Sequence, residues 1–180
     1  TILSPKLPEE LGAAMRYALT LEAPVAIRYP RGGSSIDPAY INLDEWKCLK
    51  TLKQGNNIAI LSSGRSMMTA LEISQLLEEE GIEAAVIEAA CLFPLDEQGL
   101  DQVAKDYDYL FTLEDGILKG GFGESVFAYL MTHNKTIKGK AFGYETGMIS
   151  HGEVSEVLKR EGLDAVSLKT KILKHIEESE

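Results

Sequence analysis

The amino-acid sequence predicts an α/β fold: a three-layer α/β/α domain with a mostly parallel sheet, preceded by a short helix-strand remnant of another domain. Three observations lead there. Short apolar runs such as Ile58 to Leu61 and Tyr109 to Leu113 alternate with amphipathic stretches of about ten or more residues, the pattern of βαβ units. Turns rich in small residues, Ser62-Ser63-Gly64 and Gly120-Gly121-Phe122-Gly123, lead from two of these runs to helix starts. With 44% hydrophobic and 26% charged residues, the chain has enough apolar material for a core.

Taken in order, Pro8 suits a first helical turn, Glu9 and Glu10 favour its positive end, and Leu11, Met15, Ala18 and Leu19 recur at helical spacing. Pro24 to Tyr29 alternates as a strand, with Val25, Ile27 and Tyr29 on one face and Arg28 on the other, near the strand's end. Pro30 and the glycines and serines after it stop that strand. One helix and one strand cannot bury themselves alone, so residues 1–33 are expected to end a different domain. A stretch rich in Ser, Pro and Asp at 34–45 reads as a linker, and 46–180 as the α/β domain. Within it, Trp46 to Lys53 looks hairpin-like. Strands are predicted at Ile58–Leu61, Ala84–Glu88, Tyr109–Leu113 and Lys138–Tyr144. Helices are predicted at Met67–Glu80, from Pro94-Leu95-Asp96 to Ala104, and at Glu124–Met131, Glu153–Glu161 and Val166–Glu178. Right-handed crossovers would cover both sheet faces with helices.

Composition excludes several classes. A formal net charge of −10 argues against a nucleic-acid partner, which calls for clustered Lys and Arg. No apolar run approaches the roughly 20 residues of a membrane helix. The three scattered histidines and the absence of Cys-x-x-Cys offer no metal-ligand spacing. Cys48 and Cys91 sit in apolar stretches and read as two buried thiols of a reducing, cytoplasmic compartment rather than a disulfide. The chain starts at Thr1, which suggests a piece of a longer polypeptide.

Few strings carry chemistry. Arg28-Tyr29-Pro30-Arg31-Gly32 lies at a strand's carboxyl end, where α/β sheets bind ligands. Two guanidiniums on a Pro-stiffened turn could grip a phosphate, although the pattern alone favours ordinary surface ion pairs. Ser62-Ser63-Gly64-Arg65-Ser66 joins a strand to a helix and could hold an anion, but a Ser N-cap in a tight turn is the simpler expectation. Gly120-Gly121-Phe122-Gly123 is flanked by Glu114, Asp115 and Glu124, which would repel a phosphate. It is read as close helix–sheet packing, not dinucleotide binding. Adjacent strand residues point oppositely, so Glu114 and Asp115 are not expected to face one cleft together, and a capping or structural role is expected of them. His133 suits a helix C-terminus, and no nucleophile–base pair is visible.

Several strings, in order, resemble the 1-deoxy-D-xylulose-5-phosphate synthase family of transketolase-like enzymes. They are Ala26-Ile27-Arg28-Tyr29-Pro30-Arg31-Gly32, Ser63-Gly64, Pro94-Leu95-Asp96, Thr112-Leu113-Glu114-Asp115 before Gly120-Gly121-Phe122-Gly123, Ile149-Ser150-His151-Gly152, and Glu161-Gly162-Leu163-Asp164. Phe93, where the family usually has Lys, and Asp115, in place of a second Glu, depart from it. The resemblance implies a transketolase C-terminal-like domain preceded by the end of the pyrimidine-binding domain. For an intact, homodimeric enzyme it implies thiamine diphosphate and Mg²⁺, with sites outside this chain, and none bound to this piece alone. The small-molecule substrates implied are pyruvate and glyceraldehyde 3-phosphate. Arg28 matches the residue that holds the acceptor's phosphate, and Arg31 is a second candidate. Other expectations consistent with the sequence are the C-terminal subunit of a split transketolase and a noncatalytic dimerisation module.

Overall fold

A computed structural model describes residues 1–30, 46–145 and 148–179. Arg31 and the linker placed at 34–45 lie outside the described residues.

The second segment builds the main sheet, of strands β3 (Leu49–Lys53), β4 (Ile58–Ser62), β5 (Ala84–Ala89), β7 (Tyr109–Ile117) and β8 (Lys138–Tyr144), in the order β3-β5-β4-β7-β8. The four inner and carboxyl-side strands run parallel, and β3 joins antiparallel at one edge. The stretch from Trp46 to Lys53 therefore contributes one edge strand, Leu49–Lys53, and not a hairpin. Its partner is β5, reached through β4 and the helix α2 (Ser66–Glu78), a pairing with no local signal.

Alternation along the buried strands divides the core into two layers. Ile58, Ile60, Val86, Phe111 and Leu113 face α2 and α6 (Ala165–Glu177). Ala59, Leu61, Ile87 and Leu110 face α3 (Glu97–Asp106) and α4 (Phe122–Thr132). Helix α5 (Val154–Glu161) leads into α6 through Gly162, a left-handed C-cap at φ 65°. Helices thus cover both sheet faces, as predicted. Asp96 and Asp164 cap α3 and α6 by accepting from the amides of Gly99 and Ser167. Gly123 lets α4 approach the sheet: a Cβ there would lie 2.3 Å from Thr112 Oγ1 and 2.8 Å from the Ala141 Cβ.

Residues 1–30 add a strand the sequence hid, β1 (Ile2–Leu3), then a 3₁₀ turn at Pro8–Glu10, α1 (Leu11–Ala18) and β2 (Ala26–Ile27). Strand β1 pairs parallel with β2 and antiparallel with β6 (Cys91–Phe93), a strand borrowed from the second segment. The apolar stripe of α1 is not the side this chain buries. Met15 and Leu19 are 53% and 86% exposed, while Ala13 and Ala14 are buried, and Ala14 packs with Leu3 and Cys91.

The cysteines are also corrected. Cys48 and Cys91 form a disulfide across a sequence separation of 43 residues. The register explains why: Leu49 pairs with Ala89, and the amide of Cys91 donates to the Cys48 carbonyl, which brings the two Cα atoms to 4.6 Å.

Candidate anion-binding site at the switch point of the sheet

Strand β4 passes through α2 to β5 on one side, whereas its neighbour β7 passes through α4 to β8 on the other. The connections leaving β4 and β7 diverge, and a crevice opens at their carboxyl ends, the usual ligand position in such sheets. Here it is a cavity of about 270 Å³. Ser63, Gly64 and Arg65 border it after β4, Glu114 and Asp115 from β7, Ser4 and Leu92 from around β1 and β6, and Arg28, Tyr29 and Pro30 from the end of β2.

Each wall follows from local sequence. Ile27 is the last paired residue of β2, and the Arg28 amide donates to the Leu3 carbonyl, so Arg28 leaves the sheet at its carboxyl end. Its side chain is exposed and makes no ion pair with any described residue. Gly64, at φ 54°, supplies the left-handed turn between β4 and α2. The expected Ser N-cap of α2 is not made: Arg65 occupies the cap position, and no side chain accepts from the first turn. Arg65 instead donates Nη2 to Asp115 Oδ2 at 2.9 Å.

The two carboxylates divide their work. Glu114 is buried and accepts the amides of Phe122 (3.0 Å) and Gly123 (2.9 Å), capping α4, the kind of role expected of this carboxylate pair. Asp115, pointing the other way, holds Arg65. Both still border the cavity, contrary to the one-sided expectation, although Glu114 is turned to the α4 amides and Asp115 to Arg65. Burial first, and then the adjacent Asp115 carboxylate, push the Tyr144 phenol above its ordinary range.

Beside the cavity lies a network that sequence reasoning missed. Lys6 is buried, with its ammonium between Glu10 and Glu88; Nζ lies 2.7 Å from Glu88 Oε2, and the Lys6 amide donates to Glu10 Oε2 at 3.2 Å. Burial raises the Glu88 carboxyl, and Lys6 opposes that shift. Lys50, nearby, is lowered by burial and then by Lys6. Lys6 and Glu88 are 82 residues apart, so no sequence window contains both. The spacing Lys6…Glu10 was the only local hint.

A family model described as transketolase, C-terminal domain, matches residues 48–168. The chain belongs to this family. Beyond the matched span, this transketolase C-terminal domain is 33% identical over 174 residues to 1-deoxy-D-xylulose-5-phosphate synthase of Clostridium tetani (strain Massachusetts / E88), covering 97% of the chain and 28% of that relative. It is 32% identical over 178 residues to the protein of the same name from Natranaerobius thermophilus (strain ATCC BAA-1301 / DSM 18059 / JW/NM-WN-LF), again covering 97% of the chain and 28% of the relative. The chain thus spans 28% of the length of these curated relatives. Among solved structures it is similar to a split-gene transketolase described as an inactive beta4 tetramer. There the TM-score is 0.88 and the identity 26%, covering 98% of this chain and 57% of that one. Transketolase from Campylobacter jejuni subsp. jejuni NCTC 11168 shares the fold, with TM-score 0.71 and 18% identity, covering 96% of this chain and 26% of that one.

The metal that would accompany thiamine diphosphate, both implied by the resemblance, does not fit the described residues of this transketolase C-terminal domain. Among them no group of three or more His, Cys, Asp and Glu converges, and the cavity's carboxylates are already bound to amides and to Arg65. No catalytic step is therefore drawn through that group. Among the described residues, no helix is long and apolar enough to cross a membrane.

Proposed function

We propose that this chain is the C-terminal portion of a thiamine-diphosphate-dependent transferase of the 1-deoxy-D-xylulose-5-phosphate synthase type, which condenses pyruvate with glyceraldehyde 3-phosphate. In that enzyme Arg28 holds the acceptor's phosphate, with Arg31 as a second contact. Residues 1–33 end the pyrimidine-binding domain, 34–45 link, and 46–180 form the C-terminal domain of a cytoplasmic homodimer. One observation carries the site: Arg28 emerges from a strand's carboxyl end, without an ion-pair partner among the described residues, onto an open cavity. A guanidinium fork binds a phosphate dianion through paired charge-assisted hydrogen bonds. Fixing the phosphate positions the aldehyde at the other end of the acceptor, so this chain's contribution is orientation, not bond making.

In the full-length enzyme, Arg28→Ala should raise KM for glyceraldehyde 3-phosphate by about 10- to 150-fold, the equivalent of a lost charged hydrogen bond of about 1.5–3 kcal/mol, and spare pyruvate. Equal damage to both substrates would remove the proposed role.

The likeness to the split-gene transketolase, with TM-score 0.88, favours a second reading: a C-terminal subunit whose catalytic half is a separate chain. An open reading frame continuing several hundred codons upstream of Thr1 would exclude it.

A further inference from the structure

The Cys48–Cys91 disulfide sits where the two sheets meet. Strand β5 ends at Ala89 and β6 starts at Cys91, so the chain turns from the main sheet into the small one at Ala90. Cys48 closes that corner: its carbonyl accepts the Ala90 amide at 2.8 Å, and its sulfur bonds Cys91. The first segment is seated on the same corner. The Ser4 amide donates to the Ala90 carbonyl at 2.8 Å, Leu3 pairs with Cys91, and Tyr17 stacks on Trp46, just ahead of Cys48. Strand β2 follows through β1, by the Ala26 amide on the Thr1 carbonyl and the Arg28 amide on the Leu3 carbonyl, at 2.9 and 2.8 Å. The bond is also within reach. A cavity of about 440 Å³ is lined by both cysteines and by Thr1, Tyr17 and Leu21, and Cys48 is half-buried where Cys91 is 2% exposed. In a reducing compartment, such as the one proposed for this protein, a disulfide is usually transient and redox-sensing.

We infer that Cys48–Cys91 is a reversible redox lock on the seating of residues 1–30, opened by a dithiol reductant and closed again by a disulfide oxidant. A thiolate of the dithiol attacks the more accessible Cys48 sulfur, the Sγ–Sγ bond breaks, and its electron pair leaves on Cys91, which takes up a proton. The dithiol's second sulfur, on losing its proton, attacks the mixed disulfide and releases Cys48, which is protonated in turn. The dithiol is thereby oxidised to its own disulfide, and both cysteines are reduced. Two unbonded sulfurs must move apart, and Cys91 is packed against Leu3 and Ala14. Opening therefore loosens the corner on which β1 rests and, through β1, the position of Arg28. The consequence for acceptor binding rests on the reading of Arg28 above; the lock itself does not.

The test equilibrates the 180-residue chain in graded mixtures of reduced and oxidised dithiothreitol. Free thiols are counted by alkylation and mass, and amide hydrogen exchange is followed at each end of the transition. The expected result is one reversible transition in a chain that stays folded. When reduced, Ser4, Ala26 and Arg28 should exchange roughly 10-fold or more faster, through a local opening nearly insensitive to dilute urea, whereas exchange in β4 and β7 keeps its urea dependence. Cys48→Ser should show the reduced pattern with or without reductant. A bond that opens only when the whole chain unfolds, or cysteines that stay free in the oxidised mixture, would overturn the lock. So would three amides left as protected as before, or accelerated with the full urea dependence of β4 and β7, which marks global destabilisation alone. In the full-length enzyme, reduction should raise KM for glyceraldehyde 3-phosphate and spare pyruvate. Faster local exchange with both KM values unmoved would support the lock and count against the reading of Arg28 instead.

Discussion

The Lys6 ammonium is the buried cation between two buried carboxylates, Glu10 and Glu88, and replacing it with Met should destabilise the chain severely. Lys6, Glu10 and Glu88 are 1%, 4% and 3% exposed, so water cannot take the lost cation's place. Removing one partner of a buried ion pair costs about 3–5 kcal/mol, because the remaining charge stays desolvated. Met fills nearly the same volume, which keeps packing loss small. For a chain of this size each kcal/mol moves Tm by about 2–4 °C, so Lys6→Met should melt roughly 6–20 °C below the parent in a scanning calorimeter. The triple variant Lys6→Met, Glu10→Gln, Glu88→Gln removes all three charges and should recover most of that loss. A Tm change below about 2 °C for Lys6→Met, or a triple variant as unstable as the single one, would refute the charge argument. The outcome bears on function, since this network locks residues 1–30, which carry Arg28, to strand β5.

Further outcomes are expected. Burial raises the Glu88 carboxyl above its ordinary value of 4.5, so the folded state holds that proton to higher pH than the unfolded chain does. Its contribution is therefore full below the unfolded value and lost as pH rises through the folded one. The Tm of Glu88→Gln relative to the parent should accordingly climb as pH rises from about 4 to 8, and a flat difference would show that Glu88 does not titrate there. Opening the Cys48–Cys91 disulfide, which closes a 43-residue separation, should cost about 4 kcal/mol. A Cys48→Ser variant and the parent in excess dithiothreitol should therefore melt at the same lowered temperature, and a parent insensitive to reductant would contradict the bond. Gly123→Ala places a methyl against Thr112 and Ala141 and should cost about 1–3 kcal/mol by urea denaturation, while Ala128→Gly on the exposed side of the same helix should cost only about 1 kcal/mol.

Much of the fold was legible because its signals are local. Ile58 to Leu61 and Ala84 to Glu88 are short apolar runs bounded by turn residues, and both are strands within a residue or so of where the pattern put them. Pro94-Leu95-Asp96 announced a helix start, and Asp96 caps it. The two-residue strand β1 and the three-residue strand β6 were not legible, since neither is long enough to show a period. The buried face of α1 was not legible for a related reason. Leu11, Met15 and Leu19 make an apolar stripe, but the neighbours in this chain, Leu3 and Cys91, pack against Ala14 on another side. At the site, Arg28 was legible as an unusual cation at a strand end, whereas Arg65 was assigned to a mere turn. What distinguishes it is the crevice between diverging connections, which depends on strand order.

By itself the sequence determined the types of the longer elements from β4 onward, the covering of both sheet faces by helices and the family, because periodicity, caps and ordered motifs are properties of neighbours along the chain. Only the tertiary structure decided that Cys48 bonds Cys91, that Lys6 lies between Glu10 and Glu88, and that Arg28 and Arg65 border one cavity. Those meetings depend on strand order and register across separations of 43 and 82 residues, which no local pattern encodes.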